Sequence, residues 1–499
     1  MPASGRVELD RTLLSGIAWT GILRWVAQLL SWVGTAYAAR ILTPGHYGII
    51  AMAMTAIGLV RMVENFGLDA VFVQDRSLIG KQQAALAGLI LGFGGLLSLI
   101  FVGLARPIAQ FFNEPQVATA VALLGLLCIA DAVQVVPRAL LQRELQFRTL
   151  AWVQFLQTVV TQAVVVYGAM HGWGVKALIF NALAGAFAST VVLVALSPFE
   201  VCWPRDFATL ARPIARGWRV LGSRIAYYAY STADQLIIGK LLGKDSLGAY
   251  SFAQTFSTTI SEEVTSVVTR VVPGVFSMVQ QHRHELRRYF SLLTELMAYL
   301  TFPILIGTAL TADLLVGIVL GPQWDAVIVP LRILCLYAAF FSSQVLAGHV
   351  LLWTGQFRAN MWCSILMALV MSGAILLTAR SGLEAVAWTW VVAFPLANLP
   401  AMWLAFRTLD RGFGLWFDTL IPAGVGCVLM SVAVIGVRAA LPPSTSLVTT
   451  AAISVAVGAA SYPAVLWWFF RPRLLAMFNF IRAIRGAGGT RDEAAPEGE

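Results

Sequence analysis

Four arginines and three acids stand where the sequence is otherwise apolar. Arg24, Arg61, Arg224 and Arg270 lie within or at the ends of long hydrophobic runs, as do Glu64, Asp234 and Glu262. An ionisable side chain at mid-bilayer costs at least about 2.5–3.5 kcal/mol on insertion scales, so a chain that keeps one has a use for it. At helical spacing Arg24 aligns with Thr20, Gln28, Ser31 and Thr35, a polar stripe down one face. Around Arg224 come Tyr227, Tyr228, Ser231, Asp234 and Gln235. The next run carries Gln254, Thr258, Ser261, Glu262, Thr265 and Thr269. Such faces suit a polar cleft better than lipid. Arg24, Arg61, Arg224 and Arg270 would make that cleft positive, with Gln28, Tyr227, Ser231, Gln254 and Thr258 as its polar lining. Arginine binds phosphate through a planar, bidentate set of donors, so the expected cargo is anionic. Glu64, Asp234 and Glu262 are candidates for binding a coupling proton or sodium ion. Plainer readings stand beside these. Arg24 could be held by backbone carbonyls or an acidic neighbour within the bundle. Arg61 and Glu64, three apart, could pair locally. Arg332 could snorkel to an interface, and Asp131, Glu295 and His349 read as structural.

The elements that must position these groups follow from composition. Of 499 residues, 59% are hydrophobic and 12% charged, and the mean hydropathy is +0.78. Soluble domains are nearer about 45–50% apolar and 25% charged. The class is therefore an all-α polytopic membrane protein, since irregular backbone and open sheet edges cannot face lipid. The formal charge of +9 reflects basic loops on one side of the membrane, not nucleic-acid binding. Five cysteines without a CxxC pair give neither a disulfide framework nor a metal site. The first apolar run is too long for a cleavable signal peptide.

Fourteen spans are expected: roughly 13–37, 47–66, 84–105, 117–136, 151–170, 176–196, 217–242, 247–270, 292–312, 327–352, 360–379, 384–406, 418–438 and 446–470. The N-terminus, the C-terminal tail and the loops after even-numbered spans hold about 22 Lys and Arg, against about 7 on the other side. Both termini are then cytoplasmic. The chain also repeats. Arg40 to Gly48 closes one helix and opens another, and so does Lys240 to Gly248. Arg106 to Pro115 corresponds to Ala312 to Pro322, and Gln146-Phe147-Arg148 to Gln356-Phe357-Arg358. The spacing of about 200 residues spans six helices, an even number, so the repeats are parallel. The expected organisation is a lobe over 1–200 (helices 1–6), a second over 201–410 (helices 7–12), helices 13–14 over 411–470 and a cytoplasmic tail over 471–499 with a disordered end. Two six-helix lobes of this kind can enclose a central cleft.

The stretch from Gly16 to Gln74 resembles polysaccharide-export flippases. The similarity is carried by Ala39-Arg40-Ile41-Leu42-Thr43-Pro44-Gly45-His46-Tyr47-Gly48 and Glu64-Asn65-Phe66-Gly67-Leu68-Asp69-Ala70, and by Pro107 to Pro115 and Pro137 to Arg148. These proteins form the Wzx-like, polysaccharide-transporter branch of the multidrug/oligosaccharidyl-lipid/polysaccharide exporter superfamily. The resemblance covers nearly the whole chain and weakens after about Arg407. It implies fourteen helices in the bacterial inner membrane and alternating access. The implied cargo is a polyprenyl-pyrophosphate-linked oligosaccharide, moved from the cytoplasmic to the periplasmic leaflet for exopolysaccharide, capsule or lipopolysaccharide synthesis. It implies no cofactor beyond a coupling proton or sodium ion. Membrane lipids and a polymerase and chain-length regulator of the same pathway are the implied partners. A multidrug or cation-coupled antiporter of the same superfamily is the nearest alternative, and should show a more acidic cavity. A flippase for a lipid-linked peptidoglycan precursor differs only in its substrate. A membrane polymerase or ligase is the enzymatic alternative, yet the loops opposite the cytoplasm are short and offer no acid–base pair. No GxxxxGK[ST] occurs either, which speaks against direct ATP hydrolysis.

Overall fold

The computed structural model describes residues 3–64, 81–144, 146–203, 228, 231–269, 283–354, 356–410 and 412–477, with side chains beginning near residue 21 and ending at 58 in the first segment. Every element among them is helical: α1 (Ala3–Ile41), α2 (Pro44–Glu64), α3 (Lys81–Phe112), α4 (Gln116–Leu124), α5 (Leu127–Arg143), α6 (Phe147–Met170), α7 (Val175–Leu196), α8 (231–241), α9 (Gly243–Thr269), α10 (Arg283–Leu310), α11 (Ala312–Leu315), α12 (Ile328–Trp353), α13 (Phe357–Ala379), α14 (Leu383–Thr408), α15 (Gly414–Ala440) and α16 (Leu447–Phe469). A π-helical turn, Val316–Leu320, and a 3₁₀ turn, Pro322–Val327, join α11 to α12. Among the described residues ten helices are long and apolar enough to cross a membrane. An eleventh span is possible if Leu23–Ile41 and Pro44–Gly58, bent by 119° at their break, are taken as one. That agrees in kind with fourteen expected spans, some of which fall partly on residues outside the described set.

Two helix ends lie beyond their expected positions, each past a proline. Span three was expected to end near 105, before a separate amphipathic piece. Instead α3 runs on through Pro107 to Phe112. A proline forfeits one backbone hydrogen bond and bends a helix, and neighbouring helices can tolerate that in a membrane. The expected span 117–136 is two helices, α4 and α5, divided at Gly125 and Leu126, and α5 continues past Pro137 to Arg143.

The helices fall into two compact units. Unit 1 comprises Met1–Phe252, Val319–Ala326 and Met371–Val386. Unit 2 comprises Ala253–Ile318, Val327–Val370 and Ala387–Glu499. In unit 1, α1 packs on α6, α6 on α7, and α3 on α4 and α5. Its cores are small: Leu86, Ala87 and Ile90 meet Ala132, Val136 and Ala139, and Ala38 and Leu42 meet Val165 and Ala169. In unit 2, α10 packs on α12 and α15, and α15 on α16, around Phe290, Met297, Val350, Phe406 and Trp416. The Tyr462 hydroxyl donates to the Tyr299 carbonyl, 3.2 Å away, where α16 meets α10. The outer faces are apolar. Val33, Leu99, Val191, Leu369, Leu377 and Val428 are each more than 60% exposed, a surface that lipid can cover and water cannot. Arg407 stacks over Trp403 and Arg471 over Trp467, at 5.4 and 5.1 Å, as aromatic and cationic residues do at membrane interfaces.

Candidate functional site

Unit 2 contains a cavity of about 1240 Å³. One face of α15 forms much of its wall, from Trp416 and Leu420 through Cys427 and Val428 to Ser431 and Arg438. The steps of three and four keep these positions on one side of the helix. At 1.5 Å per residue the stretch spans about 33 Å, close to the roughly 30 Å of a hydrocarbon core. Phe302 on α10, Leu336 on α12 and Leu399 on α14 complete an almost wholly apolar lining. Charge enters at one end only, with Arg332 and Arg438.

Those two arginines share one acid. Arg332 Nη2 lies 2.9 Å from Asp313 Oδ1, and Arg438 Nη2 lies 2.5 Å from Asp313 Oδ2. Arg438 Nη1 also donates to the Leu310 carbonyl at 2.6 Å. Burial pushes the Asp313 carboxyl up, but its hydrogen bond to Arg438 and that cation's charge, then the bond to Arg332, hold it below its ordinary value. Two guanidinium groups against one carboxylate leave one positive charge in excess at the end of a hydrocarbon-lined cavity. An anion there would find bidentate donors already held in place.

The expected cleft residues are distributed as follows. Arg24 is exposed on α1 and Gln28 is half-buried one turn on. Ser31 on the same stripe accepts a 3.4 Å hydrogen bond from Gln162 Nε2 of α6. Thus one part of the stripe packs against α6, while Trp25, Leu29, Trp32 and Val33 present an exposed apolar face. Arg61 and Glu64 lie on α2, with side chains outside the described residues. Arg224, Tyr227 and Arg270 lie outside them altogether. Ser231 donates to the Tyr228 carbonyl at 3.2 Å. Asp234 is fully buried, and its Oδ2 accepts from the Tyr250 hydroxyl at 2.6 Å, across the α8–α9 hairpin. Thr55 on α2 donates to Gln235 Oε1 at 2.9 Å, and Tyr228 donates to the Thr55 carbonyl at 3.0 Å. On α9, Thr258 donates to the Gln254 carbonyl, four residues back, a bond that lets a hydroxyl sit in an apolar setting. Glu262 is exposed, beside Glu263.

The cavity itself was not legible beforehand. Arg332 read as a charge that could snorkel to an interface, and Arg438 only as one of the few basic residues in the loops opposite the cytoplasm. The partner that joins them, Asp313, stands 19 and 125 residues away, and no local spacing links the three.

Helices of membrane-spanning length, lipid-facing apolar surfaces and a bilayer-deep cavity define a polytopic α-helical membrane protein. The chain matches the family model described as "Polysaccharide biosynthesis protein" over residues 38–329, and it belongs to that family. It is similar to the succinoglycan biosynthesis transport protein ExoT of Rhizobium meliloti (strain 1021), 24% identical over 81% of this chain and 82% of the relative. It is also similar to the lipopolysaccharide biosynthesis protein WzxC of Escherichia coli (strain K12), 23% identical over 66% and 67%. Among solved structures, the lipid II flippase MurJ in an inward closed conformation superposes with a TM-score of 0.73, at 10% identity, over 91% of this chain and 99% of MurJ. The chain therefore shares the fold of that solved structure.

Proposed function

We propose that this protein is a flippase for lipid-linked oligosaccharide in polysaccharide biosynthesis. Its substrate is a polyprenyl-pyrophosphate carrying a sugar repeat unit, moved from the cytoplasmic to the periplasmic leaflet of the bacterial inner membrane by alternating access. Both termini face the cytoplasm. The observation that carries this reading is the unit 2 cavity, whose hydrocarbon lining runs the depth of a bilayer to two arginines sharing one carboxylate. A polyprenyl chain needs the first feature and a pyrophosphate the second. Family membership and the transport role in the name of ExoT support the same reading. Arg24, Arg61, Arg224 and Arg270 supply positive charge along the head-group path, with Gln28, Tyr227, Ser231, Gln254 and Thr258 beside them. Glu64, Asp234 and Glu262 are where a coupling proton or sodium ion would bind. A polymerase and a chain-length regulator would take up the product.

The test is leaflet location. In a deletion strain, lipid-linked repeat units should accumulate out of reach of a periplasmic lectin or glycosidase, and the restored gene should return access. Repeat units that reach the periplasm but stay unpolymerised would sink the reading.

A further inference from the structure

Arg138 on α5 stands five residues before the end of that helix at Arg143, on the cytoplasmic side in the orientation proposed above. From there a side chain can run on to water at little cost. Arg138 reaches back instead. Its Nη2 donates to Gln134 Oε1 at 2.8 Å, one turn further into the membrane.

The acceptor is itself fixed. Gln134 is 5% exposed. Its Nε2 donates to the Ala186 carbonyl at 3.1 Å and to Thr190 Oγ1 at 2.8 Å, both on α7. Thr190 and Ser189 donate to that same carbonyl at 2.8 and 2.9 Å. Both amide hydrogens of Gln134 are thus committed to α7, which leaves its oxygen turned towards Arg138. Leu141, Val153 and Leu193 pack α5, α6 and α7 together nearby, so the mount sits between helices that are held in place. All of these residues belong to unit 1.

The mount holds a cation with donors to spare. A guanidinium has five N–H donors, and one goes to Gln134. Among the described residues no carboxylate pairs with Arg138. Its side chain is exposed, so a ligand can reach the remaining donors. Asp131, seven residues back on α5, acts on it through charge without pairing. A ligand with a single negative charge gains little from a cation offset in this way, and one with two charges gains about twice as much in the same field.

We propose that Arg138, held by Gln134, binds the pyrophosphate of a lipid-linked substrate in the cytoplasmic leaflet, where the substrate is taken up. The transport reading supplies the ligand and the side on which α5 ends. Arginine meets pyrophosphate oxygens with paired donors. Because Gln134 sets their direction beforehand, less freedom is lost on binding. Arg143 and Arg148, on either side of the turn from α5 into α6, add positive charge at the same end.

The test uses the full-length protein in detergent, with Arg438→Met as the parent so that the unit 2 cavity does not mask the result. A long-chain polyprenyl diphosphate and phosphatidylglycerol are the two probes, and bound lipid is counted by native mass spectrometry. Arg138→Gln should weaken diphosphate binding about tenfold or more and leave phosphatidylglycerol binding nearly unchanged. Arg138→Lys, which keeps the charge and loses the planar fork, should recover part of it. Gln134→Met keeps the cation and removes its mount. It should weaken diphosphate binding several-fold at unchanged net charge, and it serves as the second variant if Arg138→Gln does not fold. Arg143→Gln removes the same charge off the mount and should have little effect. Parent affinity for the diphosphate in folded Arg138→Gln and Gln134→Met overturns the site, and so does an equal loss in Arg143→Gln. A loss confined to phosphatidylglycerol overturns the assignment to pyrophosphate. If diphosphate binding depends on Arg138 while the deletion strain still delivers repeat units to the periplasm, the transport reading has failed and the site has not.

Discussion

In unit 1 the segment after the third helix of each repeat lies against the turn between the first two helices of the other, and these two straps use two chemistries. Around Lys240 and Lys244 the strap, Phe111 to Glu114, is held by charge, through an ion pair to Glu114 and a cation over Phe111. Around Arg40 the strap, Val319 to Trp324, is held by hydrogen bonds to backbone carbonyls, one from the Arg40 guanidinium and the others from neutral groups, and by the buried Trp324 indole wedged among aromatic rings. Lys244 and Glu114 keep 35% and 17% of their side-chain surface exposed, whereas Trp324 keeps none. A repeat therefore conserves where a strap lands without conserving what fastens it. The fastening then sets strength: a buried indole contributes far more than a screened ion pair.

The largest expected effect follows from that difference. Trp324→Ala removes a fully buried side chain and its hydrogen bond to the Ala39 carbonyl, and large-to-small changes of this kind cost about 3–5 kcal/mol. Trp324→Phe keeps most of the packing and loses only the indole donor, about 1 kcal/mol. Thermal unfolding in detergent should rank wild type above Phe above Ala. A Trp324→Ala protein as stable as wild type would erase the contrast between the straps.

Unit 2 supplies an intermediate case, in which charge is used with better geometry. Arg438 makes three hydrogen bonds, two to Asp313 and one to Leu310, so Arg438→Met should destabilise by about 1–2 kcal/mol. The pH dependence has a definite sign. The Asp313 carboxyl titrates below its ordinary value in the folded protein, so its contribution is present above that ordinary value, near pH ~3.9. It is lost as pH falls through the lowered folded value. Arg438→Met should flatten the loss of melting temperature in that acid window. An equally steep acid limb in the variant would show that the Asp313 pair contributes nothing there.

How much of this could be read from sequence depends on range. The membrane class and the helical fold follow from apolar runs broken by short polar turns, a local signal. The repeat was legible because Arg40 to Gly48 and Lys240 to Gly248 share an order of residue types. What it positions was not, because Gly48 on α2 and Gly248 on α9 each meet the other helix backbone to backbone, and a glycine in a turn announces flexibility more than approach. Trp324 and Ala39 are 285 residues apart, and Asp313 and Arg438 are 125 apart. Such pairs leave no periodicity behind. The end of α3 was misplaced too: the apolar run was expected to end near 105, yet the helix continues through Arg106 and Pro107 to Phe112. Arg24 was picked out by the cost of a charge in an apolar run and by the polar stripe it shares with Gln28 and Ser31, and neither names what it touches.

The smallest effect belongs to the charged strap and separates the two chemistries most cleanly. An ion pair with one partner a third exposed contributes at most about 1 kcal/mol and is screened by salt. In a double-mutant cycle of Lys244→Met and Glu114→Gln, the coupling energy measured by unfolding should stay under about 1 kcal/mol at low salt and shrink towards zero in about 1 M salt, where the Debye length is about 3 Å. The cost of Trp324→Ala should not move with salt. A coupling that persists in high salt would mean the Lys244–Glu114 pair is shielded from solvent as the indole is, and the two straps would then differ in composition but not in kind.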